Sequence, residues 1–144
     1  MTDHARIVGR SVQDFQEWVK AIDGALGLGD EQTAYAALRG VLHSLRDRMP
    51  VDEAAHLGAQ LPTLVRGIYY EGFSPAHLPE KQRHEEAFLE RVAERMRRDD
   101  VDPERATRAV FALIKQKISV GELAHVVHMM PDEVKALWND ELAA

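Results

Sequence analysis

Residues 50–70, Pro50-Val-Asp-Glu-Ala-Ala-His-Leu-Gly-Ala-Gln-Leu-Pro-Thr-Leu-Val-Arg-Gly-Ile-Tyr-Tyr70, decide the fold, because they occur twice. A diverged second copy reads Ser119-Val-Gly-Glu-Leu-Ala-His-Val-Val-His-Met-Met-Pro-Asp-Glu-Val-Lys-Ala-Leu-Trp138. Pro62 falls on Pro131, 69 residues later, and the same offset carries Val51 to Val120, Glu53 to Glu122, His56 to His125 and Val65 to Val134. Upstream, Ala37, Arg39 and Val41 meet Ala106, Arg108 and Val110. With one residue slipped, Trp18-Val19 and Ile22 meet Phe88-Leu89 and Val92. Unrelated amphipathic helices would share apolar positions, but not a Glu, a His and a Pro as well. A fixed internal period marks one supersecondary unit used more than once. The expected organisation is a single domain of two units, 11–70 and 81–142, joined by a loop at 71–80.

Within each unit the apolar residues recur at helical spacing. Residues 1–10 read as a loose tail, after which Ser11 opens a helix with Asp14 in capping-box relation. Phe15, Trp18, Val19, Ile22 and Leu26 form its apolar stripe, and Gly27 ends it. A second helix from Asp30 carries Ala34, Leu38, Val41, Leu42, Leu45 and Met49. A short helix follows over 52–60, and Pro62 opens a fourth through Leu64, Val65, Ile68 and Tyr69. The first-helix pattern returns between Lys81 and Arg98, and Asp102-Pro103 starts the next helix. Ser119 and Glu122 form a capping box for a short helix, and Pro131 begins the last. No stretch alternates as a strand would. The predicted class is all-α, an internally duplicated helical bundle whose two pseudo-symmetric units share a core.

At 144 residues the chain is long enough for one good core. Its formal net charge of −6 opposes a broad phosphate-binding surface, which needs clustered Lys and Arg. With no cysteine, disulfides, thiolate metal sites and Cys nucleophiles are excluded. The start, Met1-Thr-Asp-His-Ala-Arg-Ile-Val8, has no apolar signal-peptide run, and a cytoplasmic location is expected.

The run from Glu53 to Phe73, with Gln60-Leu61-Pro62 and Arg66-Gly-Ile-Tyr-Tyr-Glu-Gly-Phe73, resembles the signature of a bacterial family catalogued as domain of unknown function 2267. Glu86-Ala-Phe-Leu-Glu-Arg-Val92 fits the helix that follows in that family. The resemblance extends from about residue 14 to 138. It departs in the second copy, which has Met129-Met130-Pro131 and no Tyr-Tyr-Glu-Gly counterpart. It implies an all-helical protein without an established activity, and so supplies no functional residues.

Four chemistries can be read from the residues. Glu53-x-x-His56 and Glu122-x-x-His125 each place a carboxylate and an imidazole on one helical face, a pattern that paired copies use to hold metal in a bundle. Against this, Glu122 is the expected capping partner of Ser119, and Glu53 sits where a helix dipole favours a carboxylate. Ala124, His128 and Val134, like Ala55, Ala59 and Val65, have helix-turn-helix spacing, but Asp132, Glu133, Asp140 and Glu141 would repel phosphates. No nucleophile elbow or Gly-rich phosphate loop is present, so an enzyme is not the expected class. Arg46-Asp47-Arg48 and Glu90-Arg91 read as solvated charge. Arg66, Tyr70 and Phe73, at the junction where the repeat breaks, have the composition of an interface patch. The expected role is therefore non-enzymatic, through a protein partner or a second copy of the chain. Neither cofactor nor nucleic acid nor membrane enters this expectation, and the alternatives are metal binding and a helix-turn-helix.

Overall fold

A computed structural model describes residues 2–139 as eight α-helices with no strand among them. These are α1 (Asp3–Leu26), α2 (Glu31–Asp47), α3 (Val51–Gln60), α4 (Thr63–Tyr69), α5 (Glu85–Met96), α6 (Pro103–Lys117), α7 (Val120–His128) and α8 (Asp132–Lys135). Short 3-10 turns occupy Pro75–His77 and Ala136–Trp138. The last three residues of the expected second unit, 140–142, lie outside the described residues. No helix among the described residues is long and apolar enough to cross a membrane.

Helix α2 is the centre of the molecule. Asp30 caps it, its side chain accepting from the backbone N–H groups of Gln32 at 3.0 Å and Thr33 at 3.3 Å. Thirteen of its 17 residues are buried, including the polar Thr33, His43, Ser44, Arg46 and Asp47, so the helix lies inside although its sequence is amphipathic. It packs on α1, α5, α6 and α4, while α1 also lies on α6 and α5 on α6. Where α2 crosses α5, a Cβ on Gly40 would stand 2.9 Å from the Met96 backbone nitrogen, so only glycine permits this approach. Trp18, Ile22, Leu38, Leu42, Phe88, Phe111 and Trp138 fill the core between these helices. The short helices α3 and α7 meet each other at one end of the bundle.

Several boundaries differ from the sequence reading. Residues 3–10 are not a tail: α1 starts at Asp3, because the Thr2 hydroxyl accepts from Ala5 N at 3.1 Å and caps it. Ser11 is an interior residue of that helix, whose first turns carry exposed Ile7, Val8 and Val12. Pro62 and Pro131 each stand immediately before a helix, as N-caps of α4 and α8 with extended backbone. Each therefore separates two short helices, as expected. The α5 helix begins only at Glu85, because Glu133, in α8, takes hydrogen bonds from Glu85 N at 3.1 Å and His84 Nδ1 at 2.8 Å. That cap comes from far along the chain, and no local pattern announces it.

Candidate functional site

Where α3 meets α7, the first turns of both helices bring Glu53 and Glu122 together with His125. One ligand atom from each of the three lies within 4.8 Å of the others. His56, one turn along α3, places Nδ1 3.8 Å from Glu53 Oε2. Three of the four members of the paired Glu-x-x-His motifs thus converge, and the fourth, His56, stands beside Glu53. The imidazoles are on the solvent side: His56 and His125 are exposed, whereas Glu53 is only 8% exposed.

The local folding explains why Glu122 is free to join. Ser119 does cap α7, its Oγ accepting from Glu122 N at 3.2 Å. In a full capping box the Glu side chain would return to the N-cap amide. Here that amide, Ser119 N, donates instead to Gln60 Oε1 of α3 at 3.2 Å. Gln60 takes over the capping duty expected of Glu122, and the Glu122 carboxyl turns toward Glu53. The sequence reading did not single out Gln60.

Electrostatically the site is unfinished. Glu53 Oε1 and Glu122 Oε2 are buried and have no hydrogen-bond partner among the described residues. Buried polar atoms are normally satisfied, and each exception asks for an explanation. Burial, followed by the neighbouring Glu53 carboxyl, pushes the Glu122 carboxyl from its ordinary value of 4.5 up to about 7, with His56 and His125 pulling the other way. A second carboxyl beside it disfavours the charged form, so Glu122 holds its proton into the neutral range.

A pH dependence follows. Between pH 4.5 and about 7 the unfolded chain releases a proton that folded Glu122 retains. Stability contributed by this group therefore falls as pH rises across that window and is level above it. In chelator-treated protein, the stability of the wild type relative to Glu122→Gln should decline from pH 5 to pH 7, measured by urea midpoints. A difference that does not change with pH would show that folded Glu122 does not retain its proton.

The junction residues take a different part. Arg66 Nε donates to Gly58 O at 2.9 Å and Arg66 Nη2 to Leu61 O at 2.8 Å, closing the carboxyl end of α3. Tyr70 is half-buried, meets the Tyr69 ring edge-on at 5.0 Å and lies so close to Gly58 that its hydroxyl leaves no room for a Cβ there. Phe73 is half-buried under the Arg46 guanidinium, 5.4 Å from the ring centre. Tyr69 is buried, with its hydroxyl donating to Ala54 O at 2.6 Å. Burial pushes that hydroxyl far above the usual tyrosine range.

A second polar region was misread from sequence. Arg46 and Asp47 are not solvated; they are 3% and 7% exposed. Arg46 makes two bonds to Asp47, at 2.7 and 3.0 Å, and donates to Tyr69 O and Glu71 O at 2.7 and 2.8 Å. Arg95 joins Asp47 to Glu80 at 2.8 and 2.9 Å, so the network ties α2, the 71–80 loop and α5 together. The signal that could have found it is a charged pair continuing the apolar stripe of α2. No curated protein matches the chain. A model of the family described as an uncharacterized conserved protein, DUF2267, matches residues 15–137, taking in both Glu-x-x-His motifs and the junction between them, and the chain belongs to that family.

Proposed function

We propose that this chain is an internally duplicated helical protein that binds a divalent transition-metal cation where its two copies meet. The ligands are Glu53, Glu122 and His125, with His56 beside them. The observation that carries the reading is that Glu53 and Glu122 each keep a buried carboxylate oxygen without a partner, Glu53 Oε1 and Glu122 Oε2, in a cluster whose ligand atoms, with one from His125, lie within 4.8 Å of one another. A cation supplies what the two oxygens lack and displaces the proton that Glu122 retains. Mixed carboxylate and imidazole donors suit Zn²⁺, Fe²⁺ or Mn²⁺. Binding would draw the donors inward to about 2.0–2.2 Å from the ion.

The duplication is supported by more than the sequence period. Arg46 donates to Tyr69 O at 2.7 Å, and Lys115 to Trp138 O at 2.9 Å; donors and acceptors are both 69 residues apart. Helix α1 lies on α6 as α5 lies on α2, and α3 meets α7. A pseudo-twofold arrangement of the two units accounts for these pairings and for the approach of the two motifs. The interface reading of Arg66, Tyr70 and Phe73 has less support, since each of them is engaged within the chain.

The test is titration of chelator-stripped protein with Zn²⁺ and Mn²⁺ by calorimetry. One cation per chain should bind, and an excess of about 100 Kd should raise the unfolding free energy by about 2.7 kcal/mol. His125→Ala, at an exposed position that leaves the fold intact, should weaken binding at least tenfold, within the range seen when ligand sets are disturbed. Absence of stoichiometric binding, or equal binding by His125→Ala, defeats the proposal.

A further inference from the structure

The polar cavity between α2, α5 and the 71–80 loop is remote in chemistry from the Glu-His cluster. Its volume is about 620 Å³, within the range of small-ligand pockets. The cavity wall holds four arginines, Arg39, Arg46, Arg91 and Arg95, against three carboxylates, Asp47, Glu71 and Glu80. That balance is opposite in sign to the chain as a whole, which carries a net −6.

The internal ion pairs occupy Asp47 and Glu80 and leave donors over. Asp47 accepts from Arg46 and Arg95, and Glu80 accepts from Arg91 at 3.3 Å and Arg95 at 2.9 Å. Arg95 Nη1 is nevertheless buried with no acceptor among the described residues. Arg39, half-buried on the same face of α2 as His43 and Arg46, has no hydrogen bond or ion pair among them either. Its counterpart at the 69-residue offset behaves otherwise: Arg108 bonds Glu104 at 3.0 Å and Ala136 O at 3.2 Å. A network built only to join α2 and α5 would not require Arg39. Guanidinium is costly to hold in a half-enclosed cavity without an anion, and its planar fork matches an oxyanion.

His43 reports the same field. It is 9% exposed, with Nε2 2.7 Å from Ile68 O, so this nitrogen carries the proton and donates. Burial first, with Arg46 and Arg39 adding, holds the ring below its ordinary pKa against the hydrogen bond to Ile68. A neutral ring beside the cavity keeps Nδ1 as an acceptor for a hydroxyl or a protonated oxyanion oxygen.

We infer that this cavity is a binding site for a small oxyanion, a phosphate or carboxylate group held by Arg39 at the mouth and by the Arg46–Arg95 network behind it. Ser74 and His77, from the 71–80 loop, complete the lining. Glu71, the remaining carboxylate, restricts the site to ligands small enough to stay clear of it.

The probes are inorganic phosphate and succinate, titrated at constant ionic strength into chelator-treated protein so that no metal contributes. The readout is the set of histidine ring resonances by NMR. Those of His43 and His77 should shift saturably, while His4 and His84, outside the cavity, should not. Saturation by phosphate alone assigns a phosphate ligand, by succinate alone a carboxylate ligand, and by both a general oxyanion site. Arg39→Gln should raise the Kd about tenfold or more, the loss expected for one charge-assisted contact. Arg39→Lys, which keeps the charge but not the fork, should fall between. If neither anion produces saturable shifts at His43 and His77, or if both variants bind as the wild type does, the site does not exist. Because the metal is stripped throughout, that result leaves the cation proposal standing, and the converse also holds.

Discussion

Replacing Arg46 by methionine should cost the fold about 3–5 kcal/mol, the range found when one partner of a buried ion pair is removed. The guanidinium is 3% exposed and makes four hydrogen bonds, two to Asp47 and one each to the carbonyls of Tyr69 and Glu71. Methionine fills much of the same space but donates nothing. Asp47 would keep only Arg95, and the buried Tyr69 carbonyl would lose its donor. Loss of the Tyr69 and Glu71 contacts also releases the end of α4 and the start of the 71–80 loop. Urea unfolding of the variant should show a lower midpoint with an unchanged slope. A loss below about 1 kcal/mol would mean that the pair behaves as an exposed salt bridge does.

Phe111→Ala is the second severe change, at about 3–5 kcal/mol for a fully buried Phe truncated to Ala. The Phe111 ring is wholly buried and lies on Trp138, with centroids 3.9 Å apart and planes 14° from parallel. Its other neighbour is Phe88, at 6.3 Å. The cavity would open between α6, α5 and the 3-10 turn that carries Trp138, a turn otherwise held by Arg108 at Ala136 O and Lys115 at Trp138 O. Near-ultraviolet circular dichroism should lose part of its tryptophan signal before global unfolding, because Trp138 loses the surface that orients it. If the midpoint falls but that signal survives, Trp138 is held by the backbone bonds of its own turn instead.

Local signals carried most of the fold into view. Asp30 and Asp102 cap helices as their residue types demand, and Pro62 and Pro131 break the chain where their missing N–H groups do no harm. The misplacements arise where a distant residue does the local work. Glu133 sets the start of α5 from 48 residues away, and Gln60 serves Ser119 from 59 residues away. The second of these also bears on the site. From sequence, Glu53, His56, Glu122 and His125 could be paired by their common offset, but capping explained Glu122 equally well. Only packing of α3 on α7 removes that explanation. The charges of Arg46 and Asp47 were misjudged for a related reason: alternation in sign describes the pair, not its surroundings. A short loop folding back over α2 turns a solvated pattern into an enclosed one.

The enclosure of α2 also fixes how the molecule opens. The amide hydrogens of its buried middle lie behind four other helices, so solvent reaches them only when the whole structure comes apart. The amides at the exposed beginning of α1 are bordered by Ile7, Val8 and Val12 on an open surface, and exchange there needs only fraying. One deuterium-exchange record of the native protein, without denaturant, therefore contains both limits of its stability. The slowest amides of α2 read the global free energy, and those near Gly9 read almost none of it.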